Sequence, residues 1–236
     1  MTTLDLCYLA FIAIGLCLDS FVFWPAFLKR SRADSGPARN WMILFWVMVA
    51  AGCALWLVEG RAWGSLRLTV PHGWRLLVGI GLVLALVAAN VPTIAKIVAL
   101  RRSGKRIRMP GYADQLVPRT RSELGWWMAV SVTAGFCEEF IFRGYLIWVF
   151  EPVLGLWGAA ALSLVVFATV HSYQGVKGVL AVGGVGAVFT LVVLILGSLW
   201  PAIVLHAVLD AVQGLIGWLV VRDAKGEGVL AARPPS

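Results

Sequence analysis

With 60% hydrophobic residues, 14% charged residues and a mean hydropathy of +0.86 over 236 positions, this chain is not a water-soluble globular domain, since such domains average about 25% charged residues. Its net charge of +8 does not argue for a nucleic-acid partner. The basic residues fall between apolar runs, as they do in the loops of membrane proteins.

A helix needs about 20 apolar residues to cross a bilayer. Seven runs meet that length, at roughly 4–28, 41–59, 74–99, 124–150, 153–173, 176–197 and 199–221. The expected fold is all-α, a polytopic membrane bundle of about seven transmembrane helices packed together. The first run has no positive n-region and contains Asp5 and Asp19, so it reads as a retained helix rather than a cleaved signal. Asp5 and Lys96 lie near span ends and are expected to snorkel. Asp19 lies deeper, with no partner assignable; it lines a water cavity or pairs with a basic group. The sixth run carries Gly178, Gly183, Gly184 and Gly186, read as positions of close helix packing. Cys7, Cys17, Cys53 and Cys137 lie inside apolar runs at no metal-ligand or redox spacing and form no disulfide framework.

The loops between these runs set the expected orientation. Loop 29–40 carries Lys29, Arg30, Arg32 and Arg39. Loop 100–122 carries Arg101, Arg102, Lys105, Arg106, Arg108, Arg119 and Arg121, and is expected to lie along anionic head groups. With Lys177 and the tail residues Arg222, Lys225 and Arg233, these share one side of a seven-span protein; Arg61, Arg67 and Arg75 fall on the other. The positive-inside rule then puts the N-terminus outside and the C-terminus in the cytoplasm. Three regions follow: N-terminal helices with basic cytoplasmic loops over 1–122, a core over 123–221, and a short cytoplasmic tail over 222–236.

The core holds ionisable groups at membrane depth, where each costs roughly 2.5–3.5 kcal/mol on insertion scales and is retained for function. Glu139 and Arg143 are four residues apart on one helix face and can pair. Glu138 points about 100° away and is the freer carboxylate, a candidate general base. His171 ends the fifth run. His206 and Asp210 are four apart in the seventh, so Asp210 can hold one imidazole nitrogen and fix the tautomer. A base for water, a donor for an oxyanion and an acid for a leaving group are the parts that hydrolysis of an acyl bond needs. As packing features, Glu139–Arg143 is a helix-stabilising pair, His171 an interfacial side chain and His206–Asp210 a satisfied pair. Ser131, Thr133, Ser163 and Thr169 have no adjacent base, and Cys137 faces another side, so a covalent nucleophile is not expected. Two carboxylates and two His are material for zinc. The Arg143 cation beside them weighs toward a metal-free site without cofactor, with zinc kept as the alternative.

Glu138-Glu139-x-x-x-Arg143, Phe167-x-x-x-His171 and His206-x-x-x-Asp210, in this order on successive runs, resemble the CPBP family of intramembrane proteases, which includes the type II CAAX prenyl endopeptidases and many bacterial relatives. Phe142 and Gly144 complete Phe-Arg-Gly, and Gly197-Ser198-Leu199-Trp200-Pro201-Ala202 is similar to the family's lead-in to its third motif. The resemblance covers roughly 124–215. It implies an endopeptidase of a bacterial cytoplasmic membrane, acting on a membrane-associated or C-terminally processed protein. It also implies that Glu138 and His171 activate a water with no covalent intermediate, while His206 and residue 210 stabilise the oxyanion. Position 210 is Asp here, where Asn is frequent in the family. An ionised Asp cannot donate, so Asp210 is expected to orient His206 and His206 to donate. The competing classes are a catalytically idle scaffold or immunity-type protein, a zinc-dependent version of the same protease, and a proton-coupled transporter, which would show repeated halves.

Overall fold

The computed structural model describes residues 1–25, 36–103 and 116–221, and every regular element among them is helical. Helix α1 (Thr3–Leu18) continues into a π-helical turn, Asp19–Phe23. Then come α2 (Gly36–Val58), α3 (Trp74–Arg102), α4 (Arg121–Glu138), a π-helical stretch (Glu139–Leu146), α5 (Ile147–Val170), α6 (Gly175–Leu196) and α7 (Trp200–Val221). Most of loop 29–40, most of loop 100–122 and the tail 222–236 lie outside the described residues.

Local signals in the sequence set several of these ends. Thr2 and Asp5 close a reciprocal capping box at the start of α1. Thr120 accepts from the Glu123 backbone at the start of α4. Gly197 takes the left-handed conformation (φ 65°) that ends α6, where a side chain would be strained.

Six helical stretches are long and apolar enough to cross a membrane: Thr3–Phe23, Ala38–Val58, Trp74–Arg102, Arg121–Val170, Ser172–Leu196 and Trp200–Val221. The chain is therefore an integral, multi-pass membrane protein. The expected fourth and fifth spans come out as one stretch of 50 residues. Straight, it would run about 75 Å, more than twice the thickness of a hydrocarbon core of about 30 Å. It is not straight. Gly155 breaks the helical path at φ 68°, ψ 167°. The Ser163 hydroxyl donates to the Phe142 carbonyl, and the rings of Phe142 and Phe167 sit 5.1 Å apart. Residues 21 positions apart in sequence touch only because the chain folds back. One apolar stretch thus supplies two legs of the bundle.

The π-helical stretch Glu139–Leu146 runs through the middle of the molecule, with all eight residues buried. It packs with Tyr8 and Ile12 of α1 and with Phe45, Met48 and Trp56 of α2 in one apolar core. A smaller cluster joins α6 and α7 through Val193, Leu196 and Ala202. Helices α4 and α7 touch backbone to backbone: a Cβ at Gly135 would lie 2.8 Å from the Ala207 nitrogen and from the Ile203 carbonyl oxygen. Without a hydrophobic drive between helices in lipid, such small-residue contacts let backbones approach. This one lies three residues before Glu138 and one after His206. Helix α3 turns most of its apolar surface outward: Leu76, Leu77, Ile80 and Leu84 are exposed, as a lipid-facing helix requires.

Candidate active site

The end of α4 and the π-helical stretch place Glu138, Glu139 and Arg143; α5 ends at His171; α7 carries His206 and Asp210. Short π-helical insertions occur frequently at functional sites, because they re-aim side chains at the cost of a regular ladder.

Glu139 and Arg143 are fully buried, and the Arg143 Nη1 donates to Glu139 Oε1 at 3.0 Å. The remaining guanidinium nitrogens are also used. Nε donates to Thr190 Oγ1 at 3.3 Å and Nη2 to the Gly186 carbonyl at 3.0 Å. The Phe167 ring lies 4.1 Å from the guanidinium carbon. Arg143 therefore ties the π-helical stretch to α6 with its donors occupied. Gly186 has no room for a side chain, because a Cβ there would come within 2.8 Å of Arg143 Nη2 and Phe167. Of the four glycines read in α6, Gly186 alone is closed by another helix: Gly178 is crowded only by Gln174 of the preceding turn, Gly184 faces open space and Gly183 makes only ordinary contact.

Glu139 Oε1 also takes a second partner, His206 Nδ1 at 2.9 Å. His206 Nε2 is 3.6 Å from Asp210 Oδ2 and 3.9 Å from Glu138 Oε2, within ion-pair range but beyond a hydrogen bond. Asp210 was the expected orienting group for His206. The short contact comes instead from Glu139, which reaches the ring across the α4–α7 contact at Gly135. Asp210 sits toward the open side, its side chain 36% exposed and its backbone carbonyl accepting from Trp127 Nε1 at 2.8 Å.

Two carboxylate oxygens at this centre, Glu138 Oε2 and Glu139 Oε2, are buried and accept no hydrogen bond. Buried polar atoms are nearly always partnered, so two orphans on adjacent residues mark a place where something else binds.

His171 does not touch the other five. Its Nδ1 meets the Phe167 carbonyl at 2.7 Å, so Nδ1 carries the proton and Nε2 is left as an acceptor. Its ring packs on Phe167 at 4.7 Å and lies 5.9 Å from Tyr173. Phe167 thus stands between His171 and Arg143, and His206 and Arg143 are close enough to act on the His171 ring electrostatically. The structure brings Glu138, Glu139, Arg143, His206 and Asp210 into one contact network and sets His171 at its edge.

Thr190 went unread in the sequence, and Gly186 is legible there only as a packing glycine, not as the partner of an arginine. No local pattern ties them to an arginine more than forty residues earlier. Among the described residues, no three His, Cys, Asp or Glu side chains are grouped to hold a metal ion. Glu139, one of the four groups counted toward zinc, is committed to Arg143 and His206.

Residues 120–212 match the family described as type II CAAX prenyl endopeptidase Rce1-like. The match spans α4 to the middle of α7 and contains all six residues above. No curated protein and no solved structure is significantly similar to the chain.

Proposed function

We propose that this chain, whose segment 120–212 matches the Rce1-like family, is an intramembrane protease that cleaves a peptide bond of a membrane-associated or C-terminally processed protein by water that Glu138 activates. The carrying observation is the unpartnered Glu138 Oε2, buried and facing a histidine whose other nitrogen is already fixed by Glu139.

The steps follow from these positions. Water donates to the Glu138 carboxylate, and the resemblance gives His171 Nε2, left as an acceptor, the second hydrogen of that water. Glu138 takes a proton as the water oxygen attacks the scissile carbonyl carbon. The carbonyl oxygen becomes an oxyanion. His206, as imidazolium with Nδ1–H on Glu139, offers Nε2–H to it. The C–N bond then breaks and Glu138 returns its proton to the leaving nitrogen. No covalent enzyme intermediate forms and no step passes through a metal. Glu139 and Arg143 do not meet the substrate; they position His206 and the helix that carries Glu138.

The same reading keeps the core at 123–221 and sets the chemistry at the centre of the bundle, approached from the end where α5 stops at His171. Arg39, Arg101 and Arg102 lie on that side and Arg61, Arg67 and Arg75 on the other, which supports an N-terminus outside and a C-terminus in the cytoplasm.

The test compares the termini of membrane proteins in cells carrying the wild-type chain and cells carrying Glu138→Gln. The expected result is at least one membrane protein whose terminus is shifted with the wild type alone. Identical processing with both chains overturns the protease reading.

A further inference from the structure

The carboxylate of Asp19 has no role in these steps, yet the fold brings it to their edge. Its π-helical turn is pinned to the His171 turn twice: Ser20 Oγ donates to the Val170 carbonyl at 3.0 Å, and Trp24 stacks on Tyr173 at 4.2 Å with ring planes 9° apart. Tyr173 is in turn the ring beside His171. Asp19 is close enough to act electrostatically on Glu138, and Tyr173 close enough to feel Asp19, Glu138 and Asp210 together.

Asp19 is 5% exposed. The indoles of Trp41 and Trp24 face it. Even so, its Oδ1 has no donor in hydrogen-bond geometry, and Trp41 Nε1 has no acceptor. Asp5, at the other end of the same helix, is matched by a bidentate arginine. A buried acidic oxygen with no donor bound, held next to the His171 turn, supplies the negative charge that a cationic side chain would answer. A carboxylate at membrane depth is costly unless it meets a partner.

We propose that Asp19 forms a substrate subsite that receives a basic side chain, Lys or Arg, of the chain being cut, a few residues from the scissile bond. The proposal rests on the protease reading and adds its selectivity. Ser172, Gly175 and Val176, on the turn that Ser20 and Trp24 hold, are exposed and give that side chain its approach in this proposal.

The experiment uses the full-length protein in phosphatidylglycerol vesicles, which carry no ammonium head group to compete. The probe is a synthetic library of acyl-anchored peptides with Lys, Arg, Gln, Glu or norleucine at each position in turn, and cleavage is mapped by mass spectrometry. The wild type is expected to cut peptides with Lys or Arg at one fixed position about tenfold or more faster than their norleucine counterparts, the size of a desolvated charge contact. Asp19→Asn brings that ratio near one, and Asp19→Glu keeps it above one. A wild type that cuts by a Glu138-dependent route with no basic preference overturns the subsite alone, as does a preference that survives Asp19→Asn. Absence of any Glu138-dependent cleavage overturns the protease reading and the subsite with it.

Discussion

Two buried polar clusters in this protein use the same residue types and end differently. At one end of the bundle, Asp5 is fully buried, and both its oxygens are taken. Oδ1 meets Arg61 at 2.6 Å; Oδ2 meets Arg61 at 3.0 Å and the Thr2 amide at 2.7 Å. Arg61 also pairs with Glu59 at 3.3 Å and lies 4.7 Å from the Trp148 ring centre. Tyr145 closes the knot through the Asp5 carbonyl. At the centre of the protein, Arg143 is as fully engaged as Arg61, yet Glu138 Oε2 and Glu139 Oε2 are left bare. A bare buried acceptor costs about 1–3 kcal/mol. The first cluster spends its polar groups on holding α1 to the loop after α2. The second keeps acceptors free, as the proposed activation of a water molecule requires.

The sharpest way to break this contrast is Glu138→Gln. The amide cannot take a proton from water, so cleavage of any accepted peptide should fall by about 10²–10⁴, the range of general-base catalysis. Because Oε2 holds no bond in the resting protein, unfolding in detergent should be unchanged. If stability falls with activity, Glu138 is a structural carboxylate after all.

Arg61→Ala reverses the pattern. It leaves Asp5 at 0% exposure without its counter-charge, held by Thr2 alone, and removing one partner of a buried pair costs about 3–5 kcal/mol. The hydrogen bonds to Asp5, and then the nearby carboxylate charge, hold the Arg61 pKa above its ordinary value, so the pair is charged throughout the working pH range. A lower unfolding midpoint with unchanged turnover per folded molecule is the expected result. Loss of turnover at unchanged stability would mean that the outer cluster takes part in chemistry.

His206→Gln falls between the two. Removing one oxyanion donor costs about 10²–10³ in turnover, while Glu139 keeps its bond to Arg143. Turnover of the variant is compared with the wild type on the peptide library, and a loss below tenfold would remove His206 from the oxyanion role.

How much of this was legible in the chain depends on how far apart the partners lie. Glu139–Arg143 could be read because four residues along one helix put both groups on one face. Glu139–His206 could not, since 67 positions separate them and only the Gly135–Ala207 contact joins their helices. The same gap explains Asp5. It was read as a snorkelling end residue, because nothing local announces an arginine 56 residues away. Seven apolar runs were visible, but not that two of them join as one helical stretch bending at Gly155, past a proline that helical backbone tolerates at 152. The three motifs were plain as residue types; their assignment to roles waited on which oxygen faces which nitrogen.

Asp210→Asn gives the smallest expected change and decides between the two candidate orienters of His206. If Glu139 alone fixes the ring, replacing an oxygen 3.6 Å from Nε2 and 36% exposed with an isosteric amide leaves the tautomer and the ring angle in place. Turnover should then change by less than the tenfold that 1.4 kcal/mol represents. An amide can also donate toward the developing oxyanion, which a carboxylate cannot, so a small rise is consistent with the mechanism. A fall of a hundredfold would mean that the Asp210 charge is needed to keep His206 an imidazolium. The oxyanion donor would then depend on two carboxylates rather than one.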